Sequence, residues 1–288
     1  MRILVTGAGG FVGNYIARYL QAKGYEVVGT LHRFQECSFP SVVCNLAKAI
    51  ENINGNFDAI VHAAGRKPVR KGVERVFEPQ QFLDFKYSNV DSMEHIVDIA
   101  RRQGIPRIIY LSTIGIYGEM RTPLVTEESD RVNLDAYGLT KYMAECILAD
   151  ASDIKSISLR MPGILGPGST GVWMTNTIER FRMGESVTIY SPDFQTKNFV
   201  WVKDLAQFVE KLIHMDEYPH SAINLACHES ASVREIVTEI KKFTASASEI
   251  IVDNKVNNPF CLSEDRAYQM GYESISPLEI VRRMVARK

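Results

Sequence analysis

The feature that most constrains this chain is its first thirteen residues. Ile3 to Val5 is a short apolar run that reads as a buried parallel strand, and it leads into Thr6-Gly7-Ala8-Gly9-Gly10-Phe11-Val12-Gly13. Gly7 permits a tight turn, Gly10 lets the backbone approach a pyrophosphate, and Gly13 permits close helix–strand packing. Phe11 to Lys23 follows with Val12, Ile16, Tyr19 and Leu20 at helical spacing, and Gly24 stops it. The amino end of such a helix offers free N–H groups and a positive dipole end to an anion. A tight turn with no ligand is the plainer reading of three glycines. The strand before them and the amphipathic helix after them favour a Rossmann βαβ unit, Arg2 to about Arg33, that binds a nicotinamide dinucleotide.

The rest of the first half repeats the rhythm. Strands are expected at Tyr25 to Thr30, Val42 to Val43, Ala59 to His62, Arg107 to Ser112 and Ile157 to Arg160, with helices at Asn89 to Gln103 and Ala136 to Ala149. This alternation predicts an α/β fold, a Rossmann-type doubly wound parallel sheet. After Met161 the rhythm changes. Pro162 to Gly168 is turn-rich and is expected to hold no regular element. Helices are expected near Val172 to Met183, Leu205 to Met215, Ser232 to Thr244 and Pro277 to Ala286, and strands near Val187 to Tyr190 and Phe199 to Val202. The expected division is a dinucleotide-binding domain over 1–161, joined by pieces near 198–215, and a smaller C-terminal substrate-binding domain over 162–288. Residues Pro162 to Thr196 are expected to act as a lid.

The 288 residues, 45% hydrophobic and 23% charged, can bury a sizeable core. A net charge of −1 gives no global reason to expect nucleic acid or an acidic membrane as partner, although Arg66 to Lys71 is locally basic. Five cysteines without a CxxC pair argue against a disulfide framework and a structural zinc site, so no metal is expected and a cytoplasmic setting fits. The first strand begins at Arg2 or Ile3, so no signal peptide is expected. No apolar run approaches the roughly 18 residues of a membrane span.

The end of the second strand reads the cofactor. An NAD binder places Asp or Glu there; this chain has Leu31-His32-Arg33. Arg33 could pair with a 2′-phosphate through charge-assisted bonds, which favours NADP over NAD. A solvated loop charge is the other reading of Arg33. Tyr137-Gly138-Leu139-Thr140-Lys141 puts Tyr137 and Lys141 on one helix face. A nearby ammonium is expected to lower the tyrosine pKa and fit it for acid–base work. A lone YxxxK is most often a surface pair, but Ser112-Thr113 ends a strand at the sheet edge where ligands bind, and a hydroxyl there can orient a carbonyl.

With these residues in place the chain resembles the extended short-chain dehydrogenase/reductase family, in its nucleotide-sugar epimerase, dehydratase and reductase branch. The resemblance covers nearly the whole chain. It rests on TGAGGFVG, on FDAIVHAAG at Phe57 to Gly65, on Asn89 to Thr113, on IYG at Ile116 to Gly118, on YGLTK, on LRMPGILGPG at Leu159 to Gly168 and on NFVWVKDLA at Asn198 to Ala206. It implies that Thr113, four residues before Tyr117, Tyr137 and Lys141 are the catalytic set, with Lys141 also holding the nicotinamide ribose. The candidate cofactor contacts are Gly7, Gly10, Phe11, Val12, Gly13, His32, Arg33, Asn45, Leu46, Ala63, Ala64, Gly65, Tyr137, Lys141 and Pro162. The candidate substrate contacts are Arg66, Lys67, Thr113, Gly163 and Lys197, with a solvated cluster as the equal alternative for Arg66 and Lys67. The resemblance also implies a homodimer through the helices at Asn89 to Gln103 and Ala136 to Ala149.

The chain departs from its relatives in telling places. Where 4,6-dehydratases carry Thr-Asp-Glu it has Thr113-Ile114-Gly115, and neither Ile114 nor Gly115 transfers a proton. The cysteine that fucose-synthase-type enzymes place at Ile114 is absent. Gly163 stands where UDP-galactose-type 4-epimerases have a diphosphate-contacting asparagine, and Lys197 replaces their arginine. The last two changes weaken a nucleotide-diphosphate reading; the missing strand-end acid, which suggests NADP, and a chain short for an epimerase of this branch favour NADPH-dependent reduction of a keto group on a nucleotide-linked (deoxy)sugar. The alternatives are an NAD-dependent nucleotide-sugar 4-epimerase and, more remotely, a non-catalytic dinucleotide sensor.

Overall fold

The buried apolar runs form one seven-stranded sheet, as the computed structural model of the chain shows for residues 1–48, 53–66, 79–253 and 258–286. Its strands are β1 (Arg2–Thr6), β2 (Glu26–Leu31), β3 (Ser41–Val43), β4 (Ala59–His62), β5 (Arg107–Thr113), β6 (Lys155–Met161) and β7 (Ala222–Asn224), in spatial order 7-6-5-4-1-2-3. Pairing is parallel from β3 through β2, β1 and β4 to β5. The order reverses at β1, which has β2 on one side and β4 on the other. The crevice beyond the carboxyl ends of such a pair is where open α/β sheets bind ligands.

Helix α1 (Phe11–Ala22) buries Gly13, Ile16, Ala17 and Leu20. Helix α2 (Ser92–Gln103) ends at Gly104, whose φ of +63° is the left-handed cap that glycine tolerates. The helical path into α2 starts earlier than expected, with Pro79–Phe85 running through a π-helical turn at Lys86–Asp91. Helix α3 (Ala136–Asp150) and α2 share a core with the sheet, where Leu4, Ile60 and Ile108 meet Met93, Ile96, Ala144 and Leu148. Each of the leucine, isoleucine and methionine side chains contributes roughly 1.5–3 kcal/mol by leaving water.

The chain divides into two compact units. The first comprises Met1–Glu119, Asp130–Arg160 and Ala206–Ile223; the second comprises Met120–Ser129, Met161–Leu205 and Asn224–Lys288. In the second unit Gly163–Leu165 pairs in parallel with Phe199–Trp201, so the turn-rich stretch after Pro162 does hold a strand. A strand of three residues leaves no periodicity to read, and its glycine is explained by packing: a Cβ on Gly163 would lie 2.7 Å from Val172 Cγ1. Leu124–Val125 pairs with Cys261–Leu262, which carries residues 120–129 into this unit. Helix Val202–His214 starts three residues before the expected Leu205. Helices Trp173–Arg182, Val233–Thr244 and Pro277–Val285 enclose Met174, Ile178, Phe181, Ile236, Val237, Ile240, Ile280 and Val281. Ser232 and Glu235 form a reciprocal capping box at the start of the second of these. Among the described residues no helix is long and apolar enough to cross a membrane.

The loop after β1 fits α1 by glycine alone. A Cβ on Gly13 would fall 2.4 Å from the Gly7 carbonyl oxygen, which is backbone and cannot yield. Gly13→Ala should therefore lower the unfolding free energy by about 1–3 kcal/mol in urea titration, as overpacking does. An unchanged midpoint would contradict this packing.

Candidate active site

The sequence places a turn after β1 and the fold closes it against β4. Gly7 adopts φ +63°, and a Cβ there would meet Ala64 Cα at 2.7 Å. Thr6 Oγ1 accepts from Ala64 N at 3.2 Å, and Gly7 N donates to Thr30 Oγ1 at 3.1 Å. These bonds bring Gly7, Ala63 and Ala64 together at the crevice. Gly10 is the N-cap of helix α1, with no side chain capping the helix and no acidic residue in its first turn. Uncapped N–H groups and an unopposed positive dipole end suit a bound phosphate, so the loop fits the pyrophosphate of a dinucleotide.

The catalytic candidates converge by a second backbone contact. Thr113 ends β5, and the chain turns through the 3₁₀ segment Ile114–Tyr117 with Gly115 N donating to Thr113 Oγ1 at 3.1 Å. Asp135 caps α3 by accepting from Gly138 N at 2.7 Å. A Cβ on Gly138 would lie 2.2 Å from the Gly115 carbonyl oxygen, so only glycine lets the first turn of α3 rest on that segment. The result is a hydrogen bond between the Thr113 hydroxyl and the Tyr137 phenol. Tyr137 is held from the other side by the Phe85 ring, 5.6 Å between centroids. Burial pushes the Tyr137 pKa up, the Thr113 bond opposes this, and Asp135 adds to it. The lowering expected from Lys141 is not found: Tyr137 is raised by burial and Asp135, and only the Thr113 bond opposes this.

Lys141 is wholly enclosed. Its Nζ donates to the Leu111 carbonyl at 2.7 Å and lies 4.1 Å from the centre of the Tyr110 ring. Burial lowers its pKa to about 7, opposed by the Glu145 carboxylate one turn further along α3. Asn89, set in the π-helical turn, donates to Thr140 Oγ1 at 3.0 Å. Behind Lys141 lies a buried charge network absent from the sequence reading. Arg160 of β6 grips Glu145 with Nε and with Nη2 at 2.8 Å, and its Nη1 donates to the Tyr117 hydroxyl at 3.0 Å. Ser112 donates its hydroxyl to Glu145 Oε1. An arginine inside the apolar run Ile157-Ser158-Leu159-Arg160-Met161 is the one sequence signal that could have pointed to it.

Other candidates are placed less centrally. His32 and Arg33 follow β2 and are exposed; Arg33 has no hydrogen-bond or carboxylate partner among the described residues. Leu46 sends its side chain into the core and its carbonyl to His95 Nδ1 at 2.9 Å, while Asn45 Oδ1 accepts from Ala47 N at 3.1 Å. Arg66 is paired with Asp84 at 2.8 Å, and Lys67 lies outside the described residues. Pro162, Gly163 and Lys197 belong to the second unit. There Lys197 forms an ion pair with the buried Glu264, whose other oxygen meets His228 Nδ1 at 3.1 Å. Lys197 is therefore already neutralised. The second unit also holds a cavity of about 580 Å³ lined by Trp173, Val187, Ile189, Tyr190, Phe194 and Phe260 with a few hydroxyls and Asn258.

A glycine-fitted loop followed by Thr113, Tyr137 and Lys141 has the form of a short-chain dehydrogenase/reductase site. Residues 3–226 match the NAD dependent epimerase/dehydratase family, and the chain belongs to that family. It is therefore an NAD(P)-dependent enzyme with nucleotide-sugar enzymes as homologues. It is 24% identical over 280 residues to a dTDP-4-dehydro-6-deoxy-D-allose reductase of Streptomyces bikiniensis, covering 87% of this chain and 83% of the relative. It is 25% identical over 273 residues to a UDP-glucose 4-epimerase of Azospirillum brasilense, covering 84% and 77%. The solved UDP-glucuronic acid 4-epimerase of Bacillus cereus, in complex with NAD, shares the fold with a TM-score of 0.80 at 19% identity, covering 99% of this chain and 98% of that one.

One titration follows from the layer under the site. Thr6 Oγ1, which accepts from Ala64 N, also shares a hydrogen bond with His62 Nδ1, 2.8 Å away. Burial, then the Lys141 charge, lowers the His62 pKa from 6.5 to about 3. Between those values the unfolded chain takes up a proton that the folded chain refuses, so stability falls as pH falls through that window. Urea unfolding of His62→Gln should lose less stability than the parent between pH 6.5 and 3; equal losses would contradict a neutral, buried His62.

Proposed function

We propose that this enzyme reduces a keto group on a nucleotide-linked sugar with NADPH. The observation that carries this choice is Arg33, exposed at the carboxyl end of β2 with no carboxylate beside it among the described residues. A free guanidinium there suits a 2′-phosphate, whereas an NAD site places an acid at this position. The dinucleotide, when bound, supplies the hydride. Gly7, Gly10 and Gly13 with the amino end of α1 hold its pyrophosphate. Tyr137 carries the proton delivered to the carbonyl oxygen, and the Thr113 hydroxyl orients that oxygen. Lys141 supplies the positive charge that offsets the tyrosinate formed when the proton leaves.

Ile114 and Gly115 bring no acid to the end of β5, which argues against elimination chemistry. We assign the nucleoside of the substrate to the aromatic cavity of the second unit, whose lining suits a planar base. Protection of Trp173 fluorescence by UDP or dTDP would check that assignment. We expect a homodimer, because Leu139 and Met143 project exposed from α3 and Leu83 and Tyr87 from the helical segment before α2. Light scattering reads the assembly. The second reading, an NAD-dependent 4-epimerase, is favoured by the family match and by the epimerases among the relatives.

A panel of 4-keto and 4-hydroxy UDP- and dTDP-sugars separates the two. The reductase oxidises NADPH in proportion to a keto substrate, prefers it to NADH, and leaves 4-hydroxy sugars unchanged. Interconversion of C4 epimers with no net change in the dinucleotide would replace this reading with the epimerase. Tyr137→Phe should cut kcat by about 100-fold or more, the scale of general acid catalysis, while dinucleotide binding by fluorescence titration persists. Undiminished turnover in that variant would remove Tyr137 from the chemistry.

A further inference from the structure

The wall of the second unit's cavity holds a backbone angle that its residue disfavours. The strand Val187–Tyr190 runs into a turn at Ser191, and both line the cavity. Ser191 has φ +45°, the left-handed region in which a Cβ crowds the backbone. It also precedes Pro192, and a residue before proline is ordinarily extended. Three backbone bonds hold the turn in place. Phe194 N donates to the Ser191 carbonyl at 3.0 Å. From the start of helix Val233–Thr244, Arg234 N donates to the Pro192 carbonyl at 2.9 Å and Val233 N to the Phe194 carbonyl at 3.1 Å. Glycine would close the same turn without strain, and glycine fills the left-handed positions Gly168, Gly171, Gly184 and Gly271 of this unit. The other exception among the unit's described residues, Ala245, caps the end of a helix, where the fold calls for such an angle.

Strained residues collect in clefts, where the strained position is used. What Ser191 offers beyond glycine is a hydroxyl. Of the other aliphatic hydroxyls lining the cavity, Thr177 Oγ1 donates to the Trp173 carbonyl at 2.9 Å and Thr196 Oγ1 accepts from Asn198 N at 3.4 Å. The side chains of Thr188 and Ser191 have no hydrogen bond among the described residues, and of these two Ser191 is the strained one. None of the described lining residues is charged, so the part of a ligand that enters here is neutral. We propose that the Ser191 hydroxyl is a recognition contact for the substrate's base. It hydrogen-bonds the polar edge of a planar ring that packs on the aromatic lining. A hydroxyl both donates and accepts, so it meets either the carbonyl or the ring N–H of an amide-type edge, the chemistry that uracil and thymine share. The proposal rests on the nucleoside being bound in this cavity, and it names the side chain that reads it.

The test is a titration of the full chain with UDP, followed by Trp173 fluorescence, beside thermal unfolding of each protein without ligand. S191A keeps the Cβ and removes the hydroxyl; S191G removes both, and the strain with them. Affinity for UDP should fall about 3- to 10-fold in both variants, the range that one net hydrogen bond supplies. The unfolding midpoint of S191G should lie at or above that of the parent, because glycine adopts the left-handed angle freely. Weaker binding by a variant as stable as the parent separates use of the hydroxyl from a role in folding. S191A binding UDP as tightly as the parent overturns the proposal and leaves Ser191 a turn residue. An S191G midpoint below that of the parent shows the turn to be unstrained and overturns it as well. UDP that leaves Trp173 of the parent unchanged removes the nucleoside from this cavity, and the proposal with it. The failure of the contact and the failure of the assignment beneath it are thus distinct results.

Discussion

The candidate site is built around a lysine amine held where water does not reach. Lys141 has given up its hydration for one carbonyl, one aromatic face and one distant carboxylate. That exchange is costly, and a pKa near 7 is its signature: the amine is poised between charged and neutral at physiological pH. A lysine on an exposed face of α3 would keep its hydration and hold its proton more tightly. The enclosure of Lys141 is shared by its neighbour His62, which burial keeps neutral.

Two contacts between backbone atoms set the geometry. Gly13 on Gly7 seats α1 against the loop after β1, and Gly138 on Gly115 seats α3 against the turn after β5. Each brings a helix amino end within reach of a strand carboxyl end. The first leaves the N–H groups at the start of α1 without a side-chain cap, as suits an anion. The second brings a phenol to a hydroxyl. Both glycines are demanded by approach rather than by dihedral angle, since neither has a positive φ.

Much of this was legible in the amino-acid sequence. Buried parallel strands such as Ala59–His62 read directly, because they are unbroken apolar runs between helical periods. The Tyr137–Lys141 spacing and the glycine loop announced the site, because both are local patterns. What was not legible is what depends on distant partners. The π-helical turn at Lys86–Asp91, the short strand Gly163–Leu165 and the capture of Lys197 by Glu264 arise from packing between remote segments. Tyr137 shows the limit most clearly: its neighbour Lys141 was visible in the spacing, but the burial that raises its pKa was not.

Hydride transfer from a reduced dinucleotide to a sugar carbonyl is the chemistry proposed for this site. The direct measurement uses NADPH carrying deuterium at the transferable C4 position of nicotinamide, a nucleotide-linked 4-keto sugar, and mass spectrometry of the recovered sugar nucleotide. Reduction by this site predicts a product carrying one deuterium on the carbon that held the carbonyl. A sugar product without deuterium, formed while the labelled dinucleotide stays intact, would contradict it.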